Sequence, residues 1–209
     1  MRKLVDRAEK MFSKKTSFQL LKESFTIILP SSKNIKTILF ISSISMICAI
    51  LIGFSFQTVE WFKDILSYII EIDIALLGIV FTGYVFFQVL VNKELLKRLI
   101  SEKHDDNESK LQESNEYFIG VMILYILFIF ICIILKILFF KVDDSFLVFS
   151  NQCVNCIWAT LLLFLFLYYA FALLWEIKSF IFNIFQIFNG YTATQILEYI
   201  KENKNGNSN

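Results

Sequence analysis

The feature that most constrains this chain is the distribution of its charges. Long apolar stretches carry none at all. Thr37 to Val59, Ile74 to Asn92 and Tyr117 to Leu135 contain no Asp, Glu, Lys or Arg, and neither does Ser145 to Trp175. A helix of about 20 apolar residues crosses the hydrocarbon core of a bilayer. In lipid the backbone groups must be satisfied within the segment, so helices are expected. The predicted fold is therefore all-α: a polytopic membrane protein with four transmembrane helices and amphipathic interfacial helices at both ends. Spans are placed at 37–57, 74–92, 117–138 and 155–175. SFLVFSNQCVN, ahead of the fourth, is read as a short outer loop. The 56% hydrophobic content exceeds the ~45–50% of soluble domains.

Three regions follow from this reading. Residues 1–34 form a basic amphipathic segment, and residues 35–175 form the membrane domain with a cytoplasmic linker at 93–116. Residues 176–209 hold amphipathic helices and a disordered tail. Lys and Arg near span ends set orientation by the positive-inside rule. The N-terminal segment is rich in bases, and the 93–116 loop has Lys93, Lys97, Arg98, Lys103 and Lys110. The loops on the other side have few bases. The chain is thus expected in the cell membrane with both ends in the cytoplasm. No cleavable signal peptide is read at Met1, so the first span would serve for targeting.

Lys3, Arg7, Lys10, Lys14 and Lys15 are expected to meet anionic lipid beside Leu4, Ala8, Met11 and Phe12. A helix is predicted from Thr16, with Gln19 completing a capping box and Pro30 ending it. Phe180, Ile181, Ile184, Phe185 and Phe188 mark a further amphipathic helix. Asn189–Gly190 is its expected stop, and Thr192 with Gln195 the start of another. The second span is expected to continue as a helix past Lys93, where Glu94 and Arg98 share a face. HDDNESKLQESNE reads as a flexible linker.

Small residues let helices approach in lipid. Ser42, Ser45, Ala49 and Gly53 on the first span, and Ala75, Gly78 and Thr82 on the second, predict two stripes in mutual contact. Spans three and four are expected to face lipid, with Leu163 tolerant of change.

Chemical motifs are sparse. Cys153 and Cys156 form a CxxC at the outer face, able to form a disulfide, but there is no thioredoxin-like unit around them. No zinc set accompanies them, and His104 is placed on the other side. Glu71 and Asp73 are read as solvated groups at the edge of the second span. With Glu60 and Asp64 they form an outer acidic group around Trp61. No span then has a charged centre, which argues against a proton-coupled transporter. Nucleophile elbows, zincin motifs and phosphate-binding loops are absent. No enzyme activity, cofactor, metal or nucleic-acid partner is expected.

IDIALLGIVFTGYVFFQVL, the basic NKELLKRLISEK and the third span after it resemble, in layout, small membrane subunits of bacterial antiphage systems, such as the membrane partner of the Kiwa system. That resemblance implies a subunit that works with a cytosolic protein partner and senses or perturbs the envelope. Bacteriocin self-immunity proteins are similar in size and layout. The expected function is a non-enzymatic homo-oligomeric membrane protein of envelope sensing, perturbation or immunity. A small oligomeric pore or transporter is the alternative, and an integral lipid enzyme ranks third.

Overall fold

A computed structural model describes residues 16–28, 35–101 and 110–206. The described residues are helical throughout, apart from short turns. The elements are α1 (Ser17–Ile28), α2 (Ile35–Gly53), α3 (Thr58–Leu90), α4 (Lys93–Ser101), α5 (Lys110–Phe139) and α6 (Gln152–Gly206). Four of these, α2, α3, α5 and α6, are long and apolar enough to cross a membrane. The all-α polytopic architecture stands. Lys3, Arg7, Lys10, Lys14 and Lys15 lie outside the described residues.

The α2–α3 turn is tight. Thr58 Oγ1 donates to the carbonyls of Ile52 (2.9 Å) and Ser55 (2.8 Å), closing the chain on itself. Helix α3 then starts sixteen residues before Ile74, so the segment 58–73 expected as an outer loop is helical. Three of its acids do not interrupt the helix because they lie on an outer face: Glu60, Asp64 and Glu71 are exposed. The inner face is a seam at seven-residue intervals: Leu66, Asp73, Val80 and Phe87, all buried. That spacing keeps one stripe facing a partner helix, as in coiled-coil packing. The 33-residue α3 is about 50 Å long at 1.5 Å per residue, well beyond the ~30 Å of a hydrocarbon core.

Beyond Leu90 the expected continuous helix breaks. Asn92 turns the chain, and its Oδ1 accepts the Leu95 N–H at 2.8 Å, capping α4. The Glu94 side chain, expected to pair with Arg98, lies outside what the structure describes. Leu95 is buried, and α4 rests against α5 and α6. The polar 93–116 linker is therefore partly helical, since α5 already begins at Lys110.

At its far end α6 also differs from expectation. It runs unbroken past Asn189–Gly190. Thr192 Oγ1 donates back to the Phe188 carbonyl (3.1 Å) and Thr194 Oγ1 to that of Tyr191 (2.7 Å), so neither caps a new helix. Gly190 lies inside the helix rather than ending it, and a Cβ there would meet Leu95 of α4 at ordinary contact distance.

The packing pairs are not those predicted from the small-residue stripes. Helix α2 packs mainly on α6, and α3 mainly on α5. Ser45, Ala49 and Gly53 are indeed buried, but Ala49 and Ile52 meet Leu163 and Leu167 of α6. A Cβ at Gly53 would collide with Thr160. Ser42 is half-buried. Ala75, Gly78 and Thr82 are exposed, with open space where a Gly78 side chain would go. Gly83 is the glycine of α3 that admits a neighbour, since a Cβ there would strike Phe180 of α6. Leu163, expected to face lipid, is 5% exposed. Large side chains on α6 select the partner, and small residues only permit approach.

Helix α1 is seated on α5 at another glycine. A Cβ on Gly120 would come within 2.7 Å of Ile27 Cδ1, and Ser24 is buried in the same notch. The predicted capping box forms: Thr16 N–H donates to Gln19 Oε1 (2.8 Å) and Gln19 N–H to Thr16 Oγ1 (3.3 Å). Between 17% and 39% of the most apolar window of each long helix is buried within the protein. The remaining apolar surface requires an apolar surrounding, because lipid or another chain must cover what water would not.

Candidate functional site

The one carboxyl on the inner seam of α3 is Asp73. It is 2% exposed, and its Oδ2 has no hydrogen-bond partner. A buried charge without a partner is strongly disfavoured, so such a group is retained in the neutral form or is offset by a ligand. Glu71, two residues away, points outward and is exposed. The expected outer acidic group is therefore split. Glu60, Asp64 and Glu71 remain on the surface, and Asp73 turns into the bundle.

The seam that carries Asp73 packs into one cluster with three polar side chains of the facing helices. Tyr125 and Cys132 come from α5, and Tyr169 from α6. Tyr125 is fully buried and donates its hydroxyl to the Leu173 carbonyl of α6 at 2.9 Å. The Tyr169 ring packs against Phe128, centroids 4.8 Å apart, and its hydroxyl is buried without a partner. Two unpaired polar atoms, an acid and a phenol, thus share one apolar region.

Neighbouring helices give the depth of this site. Tyr125 and Cys132 both fall within the charge-free part of α5, between Glu116 and Lys136. Tyr169 falls within the charge-free part of α6, before Glu176. Asp73 stands at the edge of the uncharged run in its own sequence, yet at the level of uncharged stretches on both partners. The expectation of Asp73 as a solvated edge group is overturned. The early start of α3 slides it along α5, so an edge in sequence becomes an interior in space.

A second polar layer follows beyond the Tyr125–Leu173 bond, about two turns along α5 and one along α6. Tyr117 of α5 donates to Glu176 Oε1 of α6 at 2.7 Å. Tyr117 in turn lines a cleft of about 970 Å³ formed by α1, α4, α5 and α6. Glu23, Arg98, Glu116 and Asn183 contribute polar groups to its wall, and Leu95 and Ile187 apolar ones.

The opposite end of the bundle is clasped. Val59 N–H donates to Asp144 Oδ1 (2.8 Å), and Lys63 Nζ donates to the Val142 carbonyl (2.6 Å). Ser145 donates to Asp143 from its hydroxyl and its backbone N–H, holding that carboxyl below the ordinary aspartate range, with Lys63 adding to the effect. Asn155 accepts from the Val148 and Phe149 N–H groups (3.0 and 2.8 Å) and fixes the loop before α6. Cys153 and Cys156 stand in the first turns of α6 as free thiols, the former exposed. Among the described residues no group of three His, Cys, Asp or Glu side chains is placed to hold a metal ion.

Sequence reading overlooked Asp73, Tyr125 and Glu176 as one set. The available signal was the period: Leu66, Asp73, Val80 and Phe87 repeat every seven residues, which puts the acid on an apolar stripe. Compared with known protein families, curated proteins and solved structures, the chain matches none of them.

Proposed function

We propose that this protein is a non-enzymatic, oligomeric protein of the cell membrane that senses or perturbs the envelope in bacterial defence or immunity, with both termini in the cytoplasm. The observation that carries this reading is the seating of α1 in the Gly120 notch of α5. An amphipathic helix at the membrane surface feels lipid packing and charge. Docked on a spanning helix, it passes displacement on to the bundle. The cleft between α1, α4, α5 and α6 supports a cytosolic partner, because it gathers charged and apolar groups on segments outside the charge-free stretches.

Vesicles containing anionic lipid and a trapped dye test the reading. Reconstituted protein is expected to hold the dye at rest and release it on osmotic downshift. Gly120→Leu, which expels α1 from its notch, is expected to blunt that response. Vesicles that stay tight under every challenge would refute envelope perturbation. Steady leakage at rest would favour a second reading, a small oligomeric pore or transporter, which draws its own support from the carboxyl buried at Asp73.

A further inference from the structure

Asp73 goes unused in the envelope-sensing reading, and the structure surrounds it with a definite arrangement. Its carboxyl is buried on the α3 seam with a free Oδ2, and the buried hydroxyl of Tyr169 is also free. From α5, Tyr125 and Cys132 belong to the cluster that its seam neighbours Leu66 and Val80 pack into. Helix α2, whose titratable side chains are Lys36 and Cys48, packs mainly on α6 and touches α3 near Phe62 and Ile65. Lys63 is bound to the Val142 carbonyl, and Lys136 is exposed. Among the described residues no base is bonded to the free Oδ2, so the neutral acid is the form the site accommodates.

The polar groups around Asp73 also lead somewhere. Tyr125, on the cluster that the α3 seam packs against, bonds the Leu173 carbonyl at 2.9 Å, one helical turn before Glu176 on α6. Glu176 is bonded to Tyr117, and Tyr117 opens on the cleft. Elsewhere the seam is walled by Leu66, Val80, Phe87 and Phe118. Toward the α5–α6 loop the next layer is aromatic, with Phe62 packed on Phe139 and Phe166.

We propose that Asp73 is a proton-binding site inside the bundle, loaded and unloaded from the cleft along Tyr125, Glu176 and Tyr117. The ligand is a proton taken from solvent in the cleft and returned to it, with no other group transferred. In the protonated state α3 packs on α5 and α6 as observed. Loss of the proton leaves a carboxylate on the apolar seam, which favours separation of α3 and entry of water between Asp73 and Tyr169. The site is a chemical trigger that operates whether the whole protein senses the envelope or conducts.

The full-length protein in sealed vesicles, its orientation fixed by protease cleavage of the C-terminal tail, is treated with dicyclohexylcarbodiimide. This reagent is apolar and modifies protonated carboxyls in apolar surroundings. Modified sites are read by peptide mass spectrometry. Asp73 is expected to be modified and Glu71 spared, with modification falling several-fold as pH rises on the side bearing the cleft. Glu176→Gln is expected to slow that response while leaving its end point in place. Asp73→Asn, which keeps the shape of the side chain, is expected to remove the modification and the pH dependence of α3 hydrogen exchange, and folded yield is checked by size-exclusion profile. Four results would overturn the inference: no reaction at Asp73, equal modification of Glu71 and Asp73, indifference to pH, or obedience to pH on the opposite side. An unchanged rate in Glu176→Gln would overturn the route. Dye retention is measured separately, so failure here leaves the envelope reading standing, and the reverse.

Discussion

Glu71 and Asp73 are the same chemistry two positions apart, and the structure treats them as opposites. On a helix, two residues separate side chains by about 200°, so an outward Glu71 sends Asp73 inward. Tyr125 illustrates a neutral group handled well at the same depth: its ring fills the seam while its hydroxyl borrows a carbonyl from α6. Tyr125→Phe removes that bond and is expected to cost about 1 kcal/mol, read as an earlier unfolding midpoint in mild denaturing detergent. Asp143 is a surface counterpart. Its carboxyl is stabilised in the charged form by Ser145, so its contribution to the loop is present above the ordinary aspartate range. It is lost as pH falls through the lowered folded value. Ser145→Ala is expected to bring the Asp143 titration, followed by carboxyl NMR, back toward the ordinary range.

Among the helices, contact is decided by fit rather than by small residues alone. Gly53 and Gly78 look alike in sequence, each on a stripe of small side chains. Gly53 is closed by Thr160, whereas Gly78 faces open space. Gly53→Leu is expected to abolish the folded α2–α6 pair, while Gly78→Leu leaves monomer stability nearly unchanged, compared by thermal aggregation in detergent. Leu163→Ala, within the same α2–α6 contact, is expected to cost about 2–5 kcal/mol, since it empties a buried site. Equal tolerance at Gly53 and Gly78 would contradict this packing. The capping of α4 gives a smaller effect: Asn92→Ala is expected to cost about 1 kcal/mol and to raise hydrogen exchange in Lys93–Ser101 first.

The molecule as a whole is a bundle in two unequal parts. A larger core joins α3, α5 and α6, with α1 and α4 packed at one end, and a smaller one joins α2 to α6. Helix α6, 55 residues and roughly 80 Å long, is shared by both and extends well past a bilayer. Helices α2 and α3 therefore both rest on α6, which also lines the cleft. With both chain ends proposed in the cytoplasm, an alkaline phosphatase fusion at either terminus is expected to be inactive and a green fluorescent fusion bright. Activity of the phosphatase at one end alone would mean an odd number of crossings and would sink the four-span reading.

Composition and charge spacing by themselves determined that this chain is helical and that four of its segments suit lipid. That is so because exclusion of charge from a span is a local rule, legible residue by residue. The capping box at Thr16 and Gln19 was equally local. Helix ends were less legible: charges on one face of α3 look like a loop in sequence, and a Gly190 inside a continuous helix looks like a stop. Only the tertiary structure decided which helices touch and how far they slide along one another. Asp73 depends on both, because its burial comes from the register of α3 against α5 and α6, and register is a property of three helices together.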